Sequence, residues 1–439
     1  MIPAYANDFI DDASANGNLF FWNRDRERKN VDTGKYESNL RHSTFNANID
    51  LHSGKVADIF SVELGGYGAW EVSNGGNGHP NEIGFSSHKT VWDEKWQGDT
   101  SGLSFYKAQA NLNFDDKFYA KLGYIQPTGQ TLLGPLWSFL PGTFRGFEVG
   151  TSLDYESAGK LDASYMWADR FKAPWYKGMG NFRFADKKTK INYLHSVGLK
   201  YDFKNDFLVE AAFGQSQGYL NQYFAKTSYK IELFDNPLNM NYQFYGSKDQ
   251  SHSGDNVYDG LAWLQAVSLQ YQLGPVGLKT EGVIVKAEGK QGYFLQRMTP
   301  TYGSSGGRLD VWWNARSDFN ANGERALFGE ISYDLSHLSD RLAGWTTATS
   351  YAYGWNAKPN STAMDQNKRI KESAWNFDLG YRVQDGWAKD TSVQLHYTRY
   401  NNHSDIPSWG GGFNNIFQDE KDIKFIVIMP FTIFNPVKK

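Results

Sequence analysis

The chain alternates, residue by residue, between apolar and polar side chains over segments of strand length. In STFNANIDL, Ser43–Leu51, the side chains of Phe45, Ala47, Ile49 and Leu51 fall on one face, and Thr44, Asn46, Asn48 and Asp50 on the other. A period of two is the signature of a β-strand with one apolar face. YFAKTSYKIEL sets Tyr223, Ala225, Thr227, Tyr229 and Ile231 against Lys226, Ser228, Lys230 and Glu232, and WNFDLGYRV sets Trp375, Phe377, Leu379, Tyr381 and Val383 against Asn376, Asp378 and Arg382. YLHSVGLKYDF and FEVGTSLDY repeat the pattern.

No run reaches the roughly 20 apolar residues of a membrane-spanning helix. The longest, Phe425–Phe434, has strand length and contains Pro430. Yet aromatic residues make up 16% of the chain while the mean hydropathy is only −0.59. Much aromatic surface without continuous apolar sequence suits a transmembrane β-barrel, in which each strand gives half its side chains to lipid. The spacing of turns agrees. Short turns near residues 52, 115, 157, 204, 234 and 273 alternate with long connections over 74–101, 126–145, 170–190, 287–324, 357–372 and 402–421. This predicts an all-β, antiparallel transmembrane barrel of about eighteen strands, with short periplasmic turns and long extracellular loops. A propeller would repeat at a fixed period, and none is present. A soluble sandwich would not bracket its apolar faces with rings such as Trp345, Tyr351, Tyr353 and Trp355.

The remaining bulk properties exclude other classes. A net charge of −3 argues against a nucleic-acid-binding protein. With no cysteine, neither a disulfide scaffold nor a Cys-ligated zinc site can form. Residues 1–6 end in Ala4-Tyr5-Ala6, the A-x-A pattern of a cleaved secretory signal, so residues 1–6 are expected to be a signal remnant, 7–434 a single barrel domain and 435–439 a tail.

One long connection resists a place in water. QPTGQTLLGPLWSFLPGTFRG, Gln126–Gly146, is apolar, and its prolines forbid helix or central strand. Folded into the lumen it would narrow the pore, which nominates Trp137, Phe139, Phe144 and Arg145 as lining groups; the alternative is an outward loop packed on a neighbour. The connection around 287–324 carries Tyr302, Arg308, Asp310, Trp312, Trp313 and Arg316. Aromatic faces stack on the C–H faces of sugar rings, while Arg and Asp bond hydroxyl and acetamido groups. Arg24, Arg26 and Arg28 share one face of the first strand, a row that could guide anions or stand solvated above the lipid. Trp22, Arg24, Asn46 and Lys107 complete the candidate lining.

Motifs for catalysis are weak. GQSQG, Gly214–Gly218, matches a nucleophile elbow around Ser216, but a strand pattern rather than a helix follows. DFNANGE begins like a calcium loop with Asp318, Asn320 and Asn322, but its twelfth position is Gly329. The histidines lack metal-ligand spacing. No enzyme activity and no cofactor are expected.

The ordered set FIDD, HPNEI, GYIQPTGQTLL, KAPW, NYLHSVG, AAFGQSQGY, YDGLAWLQA, QGYFLQRMTPTY, RSDFNANGE, NHSDIPSWGGG and NIFQDEKDIKF resembles the OprD family of substrate-specific porins, in particular its enterobacterial members for chitin fragments. The resemblance spans Phe9 to Phe434. It implies a monomeric eighteen-stranded outer-membrane barrel in contact with lipid and lipopolysaccharide, with its constriction in the loop holding Leu132 to Arg145. It further implies passive uptake of chitooligosaccharides, the β-1,4-linked N-acetylglucosamine oligomers. An amino-acid or peptide channel of the same family, or a general diffusion porin, is the alternative. Asn435–Lys439 after Phe434 departs from the family's terminal aromatic, and Arg24 and Arg26 match its basic ladder poorly.

Overall fold

The computed structural model describes residues 9–76, 82–87, 89–93, 100–134, 139–250, 257–301, 303–360, 365–404 and 414–436. Trp137, Tyr302, residues 1–6 and most of the C-terminal tail lie outside them. In chain order the strands are β1 (Ser14–Lys29), β2 (Tyr36–His52), β3 (Phe60–Gly75), β4 (Gly102–Phe114), β5 (Phe118–Ile125), β6 (Thr143–Asp154), β7 (Lys160–Lys172), β8 (Gly180–Arg183), β9 (Lys190–Ile191), β10 (Leu194–Asp202), β11 (Phe207–Ser216), β12 (Leu220–Leu233), β13 (Asn236–Asp249), β14 (Ala262–Leu273), β15 (Val276–Lys286), β16 (Arg325–Asp334), β17 (Trp345–Ala357), β18 (Ile370–Arg382), β19 (Ser392–Asn402) and β20 (Glu420–Phe434). The short pair β8 and β9 forms a side ribbon in a loop. The other eighteen run antiparallel to their neighbours, β7 pairs directly with β10, and β20 pairs back with β1, closing the wall. No helix among the described residues is long and apolar enough to cross a membrane.

The two faces of the wall are inverted relative to a soluble protein. On β2, Phe45, Ile49 and Leu51 are exposed, whereas Thr44, Asn46 and Asn48 are buried on the inner side. Tyr223 and Trp375 point outward, while Gln222 and Asn376 are buried. Lipid supplies the apolar phase for the outer face, and closure lets every strand satisfy its backbone without an open edge. Aromatic pairs mark both ends of the lipid band, Trp345 with Tyr381 at one and Tyr353 with Trp355 at the other. Phe45 sits mid-strand with its ring 5.0 Å from that of Phe21. Phe45→Arg is expected to destabilise the barrel by about 2–4 kcal/mol, the cost of a cation near the bilayer midplane. A lower urea midpoint for loss of the heat-modifiable band checks this.

One end of the barrel carries the short turns and both strand termini. The other carries the connections L1 (30–35), L2 (76–101), L3 (126–142), L4 (173–193), L5 (217–219), L6 (250–261), L7 (287–324), L8 (358–369) and L9 (403–419). The expected alternation of short and long holds along most of the wall, with exceptions at both ends. L5 is a three-residue turn on the loop end, and the turn-end connection 335–344 is lengthened by two single-turn 3₁₀ segments.

A channel lining built by two inward loops

The described residues of L3 lie inside the barrel. The loop's first arm crosses successive strands of the inner wall, and a wall side chain receives each step. The N–H groups of Thr128 and Gly129 donate to the Glu148 carboxylate of β6, both at 3.1 Å. The Gln130 N–H donates to Ser164 Oγ of β7 at 2.6 Å, and the Leu132 N–H to Ser196 Oγ of β10 at 2.9 Å. Gly198, on the inner face of β10, lets the loop backbone approach: a Cβ there would lie 1.9 Å from the Gln130 carbonyl oxygen. The returning arm packs Phe139 and Leu140 against Phe20, Trp22 and Tyr67, with the Phe139 and Trp22 rings 5.1 Å apart. Buried inside, Leu132, Leu133 and Leu140 of L3 escape water without needing lipid.

L7 continues the path where L3 leaves it. The Arg308 N–H donates to the Leu132 carbonyl at 3.0 Å. From there the chain runs around the inner wall. Arg308 bonds Glu210 of β11 and lies 4.1 Å over the Phe224 ring of β12. Asp310 accepts from Lys226 of β12 at 2.9 Å, and its N–H donates to the Tyr245 hydroxyl of β13 at 2.9 Å. The Trp313 indole donates to Glu281 of β15 at 2.6 Å and stacks on Phe328 of β16. The Asn314 carbonyl approaches His396 of β19 at 3.0 Å, its side-chain oxygen accepts from Lys424 of β20 at 2.5 Å, and Arg316 pairs with Glu420 of β20. Nine residues, Arg308 to Arg316, thus trace the wall from β11 to β20.

Within that arc the chain alternates in burial. Leu309 packs against the apolar core, and Val311, Trp313, Ala315, Ser317 and Phe319 are buried against the wall. Trp312, between them, is 63% exposed. Arg308, Asp310, Asn314, Arg316 and Asp318 occupy the same alternate positions. The arc therefore carries an aromatic ring between two Arg–carboxylate systems. Burial would raise the Asp310 carboxyl, but Arg308 and Lys226 hold it below the usual range.

A charged belt closes the ring on the β20–β1 side. Arg24 bonds Asp422 (2.6 Å) and Glu82 of L2, Arg26 also reaches Glu82 (3.0 Å), and Arg28 bonds Glu420 (2.5 Å). The row of arginines read from β1 does face inward, but carboxylates from L2 and β20 cover it. Burial favours the neutral form of Glu82; Arg24, Arg26 and Arg316 outweigh this and hold its carboxyl at about 2. Toward the turn end, Lys107 bridges Asp50 (3.1 Å) and Glu63 (2.9 Å).

The structure gathers most of the sequence-derived candidates on this lining and moves others. Asn46 is buried on the inner wall beside Thr44. Trp22 and Trp313 are buried supports beneath the surface rather than open rings, as is Phe144, which packs on Phe171 at 4.6 Å. Arg145 is corrected: it pairs at 2.7 Å with Asp169, the extra residue of a bulge in β7, and it stands across from Tyr124, whose ring packs on outward-facing Phe105. It thus faces away from the channel. The DFNANGE run does not form a calcium loop. Asn322 accepts from the Ala287 N–H, Asn320 holds the Phe294 carbonyl, Asp318 accepts from Asn415, and Gly329 lies within β16. Among the described residues no cluster of three or more His, Asp or Glu is placed to hold a metal. Ser216 caps a strand-to-strand turn, accepting from the Leu220 N–H at 3.0 Å. Sequence reading missed Glu82, Glu148, Glu210, Glu420 and Asp422. The last two had a signal: Glu420, Asp422 and Lys424 alternate on the final strand, as Arg24, Arg26 and Arg28 do on the first, and closure pairs them.

A closed barrel with an apolar exterior, a polar interior and loops folded inward to narrow its lumen defines an outer-membrane porin. The profile described as outer membrane porin, OprD family matches residues 7–431, and the chain belongs to that family. It is 54% identical over 445 residues to Chitoporin of Escherichia coli (strain K12), covering 99% of this chain and 94% of that one. Its fold is similar to that of Pseudomonas aeruginosa OccK8 (OprE), with a TM-score of 0.76 at 14% identity over 97% of this chain and all of that one. Acinetobacter baumannii OccAB1 superposes with a TM-score of 0.75 at 16% identity, over 97% and 98% of the two chains.

Proposed function

We propose that this porin admits chitooligosaccharides by passive diffusion. The observation that carries the reading is the 54% identity, across 99% of the chain, to a protein named Chitoporin. The lining supports it. Trp312 offers an open aromatic face to the C–H side of a sugar ring, and the Arg308–Asp310 and Arg316 groups on either side offer donors and acceptors for hydroxyl and acetamido groups. Neutral oligomers suit a lining whose charges are mostly paired. In this reading the channel acts without catalysis and without a cofactor, and as a monomer; one chain closes the wall by itself, so no partner is needed to complete the pore. Its outer face is apolar and meets outer-membrane lipid and lipopolysaccharide.

Single-channel recording tests the substrate class. N-acetylglucosamine hexamers are expected to block the current at lower concentration than glucose hexamers or basic amino acids. Equal block by maltohexaose would defeat the chitin assignment and favour a general diffusion porin, and stronger block by amino acids would favour an amino-acid channel. Crosslinking of the detergent-solubilised protein is expected to give one band at monomer mass.

A further inference from the structure

The inner face of β1 presents Arg24 and Arg26, both nearly inaccessible, one above the other. Arg24 has two carboxylate partners, Asp422 from β20 and Glu82 from L2. Arg26 has a single carboxylate partner among the described residues, Glu82; its Nε donates instead to the Asn39 side chain at 2.6 Å. Glu82 thus spans two guanidinium groups with its two carboxylate oxygens, Oε2 toward Arg24 and Oε1 toward Arg26. Two arginines converging on one carboxylate are the arrangement by which proteins recognise carboxylate solutes. Here the carboxylate comes from the protein's own loop. It is not part of the wall: Glu82 belongs to L2, and its side chain is 30% exposed where its partners are 8% and 4%. The neighbouring Ile83 is held down independently, its carbonyl accepting from the Thr44 hydroxyl at 2.8 Å and its side chain packed with Phe85 in the core over β1 and β3.

We propose that Arg24 and Arg26 form a carboxylate-binding site in the lumen which Glu82 of L2 fills from within, so that this loop residue sets the charge selectivity of the channel. With Glu82 seated, the arginine row is covered and neutral oligomers pass a balanced wall. With its charge removed, Arg26 loses its carboxylate and the row becomes a site for small carboxylates or carboxylated sugars. The chemical class follows from the stand-in, a single carboxylate held by two guanidinium groups.

The test is the reversal potential of single channels under a KCl gradient, which needs an open pore and not the sugar assignment. Glu82→Gln keeps the shape and removes the charge. It is expected to raise the chloride-to-potassium permeability ratio about threefold or more, since an uncompensated charge in a narrow low-dielectric passage concentrates the opposite ion. Trigalacturonate is expected to block this variant at concentrations that leave the parent protein open. Glu82→Asp keeps a carboxylate and is expected to retain the parent ratio, and Glu82→Gln combined with Arg26→Gln to return toward it. Heat-modifiable migration reports that each barrel has folded. A reversal potential in Glu82→Gln equal to that of the parent, or an equal shift in Glu82→Asp, overturns the proposal, because a loop clip with no electrostatic role would give one or the other.

Discussion

Gly198→Val is expected to unseat L3 and produce a channel with noisy, altered conductance and greatly weakened oligosaccharide block, although the substitution adds no charge and lies on a strand. The reason is distance. A Cβ at this position would meet the Gln130 carbonyl oxygen at 1.9 Å and its carbon at 2.3 Å, so the backbone of the loop must move. The strand itself accommodates valine readily. Movement there breaks the neighbouring Gln130–Ser164 and Leu132–Ser196 bonds and strains the Leu132–Arg308 link that joins L3 to L7. Each such bond contributes on the order of 1 kcal/mol net. Folding of the barrel is expected to persist, because the wall ladders on both sides of β10 are untouched. Single-channel traces of the folded variant check this; quiet channels with the parent's conductance would mean that L3 does not rest on Gly198.

Trp312→Ala is expected to raise the half-blocking concentration of N-acetylglucosamine hexamers about tenfold with little effect on open-channel conductance. A base stacked on an aromatic side chain contributes about 1–2 kcal/mol, and a sugar face stacked on indole is taken as comparable; about 1.4 kcal/mol is a factor of ten. Trp312 suits this role where Trp313 does not. The first is largely open, while the second spends its N–H on Glu281 and its face on Phe328. Trp313→Ala should therefore act through stability of the L7 arc, broadening the open-state current. An unchanged blocking constant in Trp312→Ala would remove that ring from the sugar path.

The contrast between these neighbours marks how far sequence reading reaches. Both tryptophans stand in one loop, and both were candidates for the lining. Alternation within 308–319 held the distinction, but a loop gives no reason to expect period-two order until it is known to lie along a wall. Phe144 and Arg145 were read as pore-lining for the same kind of reason. The first is packed under the loop, and the second already belongs to β6, sharing the outward face of Phe147 and Val149 opposite a bulge that lies on β7 at Asp169.

The sequence by itself determined the barrel. Strict alternation over strand-length segments, with no helix-length apolar run, admits a wall with one greasy face and one wet face, and the rhythm of turns approximates the strand number. It also determined that L3 must leave the water, since its apolar residues and prolines fit neither helix nor inner strand. The tertiary structure alone decided what the lumen contains. Arg24 meets Asp422 across 398 positions of sequence, and L7 finds its partners on strands from β11 to β20. Such contacts depend on the closed ring bringing first and last strands together and on the space left inside it, and neither is encoded in any local period.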